Sequence, residues 1–141
     1  MHPALFVVAA VLLFAGVAAA EPMTIDMHVN PQCSCCEGHA NYLRQHGFKV
    51  NVTTTHNMSL IRQQHSVPDS LVGCHIAFVA GYIIEGHVPA SAINKLLAER
   101  PKIKGISLPG MPEGSPGMTG TKTEPFTIYE ISDKAKVFAT E

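Results

Sequence analysis

Residues 30–43 read NPQCSCCEGHANYL and place three of the chain's four cysteines within four positions, as Cys33, Cys35 and Cys36. This cluster constrains the fold more than any other feature. Bridges between cysteines that are adjacent, or one residue apart, are strained. The least strained local bridge is Cys33 with Cys36, a C-x-x-C pair, which leaves Cys35 and Cys74. Whatever structure surrounds the segment must therefore manage reactive sulfur. A metal clamp, a redox couple and a structural staple are the three ways to do so.

The flanking sequence says where the cluster sits. Residues 24–30 alternate Ile25, Met27 and Val29 with polar neighbours, the period of a strand. A helix is predicted from about Cys36 to His46, with Gly47 as its left-handed cap. Residues 48–54 form a second strand, with Phe48, Val50 and Val52 on one face. Residues 58–65 are a short helix stopped by Pro68. Residues 75–88 are two strands joined by a tight turn at Ala80 and Gly81. Residues 89–100 are the clearest helix, opened by Pro89, striped by Ile93, Leu96 and Leu97, and ended by Pro101. The order β-α-β-α-β-β-α is that of an α/β, thioredoxin-like fold, with the cysteines in the loop between the first strand and first helix. A Pro/Gly/Met-rich loop follows at 106–125, longer than is usual without a function. It repeats Pro109-Gly110-Met111 as Pro116-Gly117-Met118. A C-terminal β-hairpin over 126–140 turns near 132–134.

The first twenty residues read differently. Residues 4–17 are an unbroken apolar run, followed by small residues and a switch to polar sequence at Glu21, which predicts a cleavable signal peptide cut after Ala20. The mature chain is then one domain over 21–141, with its core at 24–104. Its 10 Lys and Arg nearly balance its 11 Asp and Glu. No basic stripe favours nucleic acid, and no charged tail favours a membrane surface after cleavage. Export leads to a compartment that permits disulfides.

The chemistry starts from the helix N-terminus, where free N–H groups and the dipole stabilise thiolate. Thiolate serves both disulfide exchange and soft-metal binding. The third thiol favours the metal, because Cys35 would compete in a simple Cys33–Cys36 redox pair, whereas converging sulfurs suit Cu(I) or Zn(II). Cys74 precedes the third strand, where a thioredoxin-like fold brings it against the cysteine loop; otherwise it is a small buried hydrophobe. His39 shares a helix face with Cys36. Strand alternation would turn His75 away from the face of Cys74. His87 ends the fourth strand. Each of these histidines is a candidate ligand or a core residue. Met111 and Met118 are either thioether donors that close over the site or the cover of a surface loop.

Taken together, CSCCEGH, the later GCH, GYIIEGHVPASAINKLL and PGMPEGSPGM resemble the CopG-type proteins of bacterial copper resistance across residues 27–118. The resemblance implies a periplasmic, thioredoxin-like protein. It also implies a copper cluster bridged by cysteine sulfurs, with Cys33, Cys35, Cys36 and Cys74 as the matching ligands, and a redox role in copper handling. Charge agrees: several Cu(I) ions neutralise four thiolates that are costly to keep in a partly dry pocket. The leading expectation is a periplasmic copper-binding protein of copper resistance, holding several Cu(I) ions, with other copper-handling or redox proteins as partners. The alternatives are a thiol-disulfide oxidoreductase with Cys33 and Cys36 as its catalytic pair, and a passive copper chaperone or store.

Overall fold

The computed structural model describes Gly16 and residues 18–141. The apolar run expected to be a signal peptide falls, Gly16 apart, outside the described residues. No helix among the described residues is long and apolar enough to cross a membrane.

The alternating residues of 24–30 do form a strand, β1 (Thr24–Val29), which pairs in parallel with β2 (Lys49–Thr54) and antiparallel with β3 (Ile76–Val79). The hairpin partner of β3 is β4 (Tyr82–Glu85). The order β2-β1-β3-β4, with β3 antiparallel to the rest, is the thioredoxin-like sheet expected from the element order. Between these strands run α1 (Ser34–Gln45), α2 (Met58–Gln64) and a 3-10 turn at Asp69–Leu71, and α3 (Ala90–Glu99) follows β4.

The local sequence explains the turns. Gly47 has φ +90° and ends α1: its N–H donates to Arg44 O, and the Phe48 N–H donates to Leu43 O. That pair of bonds satisfies the last helical carbonyls. The β3–β4 turn has positive φ at both central residues, +47° at Ala80 and +85° at Gly81, the twist a two-residue hairpin prefers. A Cβ in that conformation is strained. Ala80→Gly is therefore expected to stabilise the protein by about 0.5–1 kcal/mol, read as a rise in thermal midpoint. An unchanged or lower midpoint would show that the turn does not carry this strain.

Adjacent residues of β4 reveal the layers. Ile84 packs with Cys36, Ala40 and Leu43 of α1 and with Ala92, Ile93 and Leu96 of α3. Ile83 packs on the opposite face with Met58 of α2, Val67 and Leu71. The sheet is thus buried on both sides, which is why all four residues of β4 are buried without alternation.

The C-terminal half departs from the sequence reading in one respect. Residues at the junction of the expected core and loop form a short strand, β5 (Gly105–Ser107), parallel to β4 and antiparallel to β6 (Thr127–Ile131). The hairpin is completed by β7 (Val137–Thr140). The hairpin therefore extends one seven-stranded sheet rather than standing apart. Three residues are too few to show a period. Their pairing is fixed by tertiary fit: a Cβ at Gly105 would lie 1.9 Å from Ile83 O.

Candidate metal centre

The turn between β1 and α1 begins with Cys33, whose N–H donates to Asn30 O at 3.0 Å. Cys33 is the N-cap of α1, so the helix starts two residues earlier than the sequence suggested. Cys35 and Cys36 then fall in its first turn, where unpaired N–H groups favour negative charge. Opposite them, Cys74 lies in the bend before β3. Its Sγ is 3.0 Å from that of Cys33, 3.2 Å from Cys35 and 3.4 Å from Cys36. The structure thus brings together all four sulfurs that the sequence singled out. Cys33 and Cys36 form a disulfide, and Cys35 and Cys74 are free thiols. Burial, reinforced by the hydrogen bond and charge of Cys35, pushes the Cys74 thiol up to about 12.

The histidines are closer to this site than alternation implied. His75 does not turn away, because β3 begins only at Ile76 and alternation does not govern the bend before it. His39, His75 and His87 are all fully buried, with ring centroids 4.9–5.0 Å apart. Burial holds His39 down to about 3, aided by neighbouring His87. Burial also lowers His75 well below its usual value, and lowers His87. All three rings are therefore neutral near pH 7.

Neutrality fixes the tautomers. His39 Nε2 is 2.9 Å from Val88 O, a pure acceptor, so Nε2 carries the proton and Nδ1 is bare. His39 Nδ1 then accepts from His75 Nε2 at 2.9 Å, which leaves His75 Nδ1 bare. His87 Nδ1 donates to Pro116 O at 2.6 Å, which leaves His87 Nε2 bare. These two bare nitrogens are buried and have no hydrogen-bond partner. The ligand atoms of Cys74, His75 and His87 lie within 4.8 Å of one another, as do those of the four cysteines. Cys74 belongs to both groups. Two unpaired imidazole lone pairs beside a sulfur cluster fit a metal centre: they are costly in a dry pocket and are what a soft or borderline ion takes up. His39 offers no free lone pair and instead orients His75.

The two Pro-Gly-Met turns border this centre from either side. Gly110 pairs with Gly73, next to Cys74, and its N–H donates to Val72 O. Gly117 packs on Gly38 and His39, where a Cβ on it would lie 2.3 Å from His39 N. Met111 is exposed and Met118 half-buried.

Two solved structures of a copper resistance protein, CopG form 2 and form 1, superpose on the chain with TM-scores of 0.79 and 0.78. Each is 37% identical to it, and the matches cover 86% of this chain and 99% and 98% of theirs. The chain belongs to the CopG family of copper resistance proteins. Residues 71–118 also match the family described as "Protein of unknown function, DUF411". No curated protein matches the chain.

Sequence reasoning missed one buried charge pair near this centre. Glu85 of β4 is fully buried, and its Oε1 accepts from Arg62 of α2 at 2.6 Å. Burial raises the Glu85 carboxyl, and the Arg62 bond and charge oppose that shift. An acidic residue inside the apolar run YIIEGH was the available signal. Its partner, 23 residues earlier on a separate helix, left no mark in the sequence.

Proposed function

We propose that the chain is a periplasmic copper-binding protein of copper resistance, exported by residues 1–20 and acting as a single domain over 21–141. It holds more than one Cu(I) on Cys33, Cys35, Cys36 and Cys74, with His75 and His87 as nitrogen donors and Met111 and Met118 as candidate thioether donors. The carrying observation is the shared place of Cys74 in two ligand groups, one of sulfur and one of sulfur with unpaired imidazole nitrogen. A bridging sulfur lets few side chains hold several ions, and Cu(I) suits thiolate, imidazole and thioether alike. The reduced protein is expected to bind more Cu(I) per chain than the form with the Cys33–Cys36 disulfide, measured by anaerobic titration against a chromophoric chelator. Equal uptake by both forms would remove Cys33 and Cys36 from the site.

The Cys33–Cys36 disulfide favours a second reading, a thiol-disulfide oxidoreductase. Forming that bond from two thiols releases two electrons and two protons. Cys74 lies 3.0 Å from Cys33, within reach for exchange through a mixed disulfide. Turnover of a protein disulfide by the metal-free reduced form would support this reading. The copper reading gains from no turnover together with Cu(I) uptake.

A further inference from the structure

Backbone pairing holds the bend that carries Cys74 only sparsely. β3 begins at Ile76, and before it lie one bridge of Gly73 with Gly110, the bond from the Gly110 N–H to Val72 O, and that from the Gly86 N–H to His75 O. Yet Cys74 has to stand between two groups of ligand atoms, and a misplacement of a fraction of an ångström would disturb both. Something besides this sparse backbone pairing must fix the bend.

Gly73 shows what does. Its N–H donates to Glu85 Oε1 at 3.0 Å, and its carbonyl accepts from Arg62 Nη2 at 3.0 Å. The same Arg62 donates to Glu85 Oε1 through Nε at 3.0 Å and Nη2 at 2.6 Å. Both backbone polar groups of Gly73 are thus tied to one ion pair. On its other side Gly73 lies against backbone, where a Cβ would meet Gly86 Cα at 2.5 Å and Leu108 O at 3.1 Å. The residue before Cys74 is gripped from every direction.

A buried ion pair is a poor device for stability alone, because desolvation offsets its attraction and apolar replacements of like volume are often neutral or better. Its value here is positional. Arg62 can make these bonds together only through a planar, forked head; lysine carries the charge but not the fork. We propose that Arg62 and Glu85 are positioning residues for the metal centre, clamping Gly73 so that the Cys74 sulfur stands where both ligand groups can share it. This role rests on the copper reading of the cysteine site.

The test uses the full mature chain. Arg62→Lys in the reduced protein is expected to weaken Cu(I) binding by about 10- to 100-fold, the usual effect of removing a group that orients a ligand from outside. In a Cys74→Ser background the same substitution is expected to change Cu(I) affinity by less than about twofold, because a positioning effect needs the sulfur it positions. The paired change Arg62→Met with Glu85→Leu keeps apolar bulk and removes the clamp. It is expected to fold with a lower unfolding midpoint, because the Gly73 N–H and carbonyl lose their partners, and to lose Cu(I) affinity similarly, so it serves if Arg62→Lys fails to fold. A second readout needs no copper. In the disulfide form, iodoacetamide is expected to modify Cys74 several-fold faster in either variant, with Cys35 unchanged, on the order seen when a fixed segment gains local opening. Equal proportional losses of Cu(I) affinity with and without Cys74 overturn the proposal, as does an unaltered Cys74 alkylation rate. A wild-type protein that binds no Cu(I) would instead defeat the copper reading, and the alkylation arm would still decide the clamp.

Discussion

Cys74→Ser is expected to lower the Cu(I) bound per reduced chain and to weaken the remainder by roughly 100-fold, about 2.7 kcal/mol. The expectation rests on position. Cys74 is within 3.4 Å of each of the other three sulfurs, and it is the member shared with His75 and His87. Its removal leaves three sulfurs on one turn of α1 and two nitrogens across the gap with nothing to bridge them. Serine is nearly isosteric and its hydroxyl is a poor ligand for a soft ion, so the fold should survive while only weaker binding on the remaining ligands persists. Titration of wild-type and variant under anaerobic conditions, with circular dichroism as the folding control, checks this. Unchanged stoichiometry in Cys74→Ser would sink the four-sulfur site.

The second large effect concerns acid. A histidine with an ordinary value near 6.5 in the unfolded chain, held far below that in the fold, binds its proton only on unfolding. Stability is therefore full above about pH 7 and falls as pH drops below 6.5, with the loss continuing toward the folded value, about 3 for His39. His39, with its folded value of about 3, withdraws about 2 kcal/mol between pH 7.5 and 5, and His75 and His87 act in the same direction. Glu85 acts in the opposite sense, because burial raises its carboxyl above 4.5, and offsets part of the loss at the acid end. Against a total stability of about 5–15 kcal/mol, the metal-free protein should unfold far more easily at pH 5 than at pH 7.5. Urea midpoints across that range are the measurement. A flat profile would mean that the buried rings take up protons without disturbing the fold. Saturating Cu(I) should move the midpoint up at each pH, because it binds the folded state.

The particular residues show why some of the protein was legible in advance and some was not. The first strand, the helix after it and the β3–β4 hairpin could be read because their signals are local: alternation at Ile25, Met27 and Val29, the cap at Gly47, the turn at Ala80 and Gly81. The strand at Gly105–Ser107 could not, since its evident feature is the lack of a side chain against Ile83, a residue 22 positions away. Strand alternation turns His75 away from Cys74, but that rule does not reach a residue one position before the strand begins.

By itself, the sequence determined that three thiols would stand at a helix N-terminus, because the cysteines directly follow a strand signal and open a helix signal, and both are short-range properties of the chain. It also determined, through four separated motifs, the family to which the chain belongs. Only the tertiary structure decided what those thiols face. The 41-residue separation of Cys33 and Cys74 closes to 3.0 Å through the pairing of β1 with β3. The bare nitrogens of His75 and His87 exist because Val88 O and Pro116 O, distant in sequence, fix which ring atoms carry protons. The grip of Arg62 and Glu85 on Gly73 joins a helix, a strand and a bend. Residue types set which chemistry was available, whereas distances and tautomers depend on contacts between segments that meet only when the sheet forms.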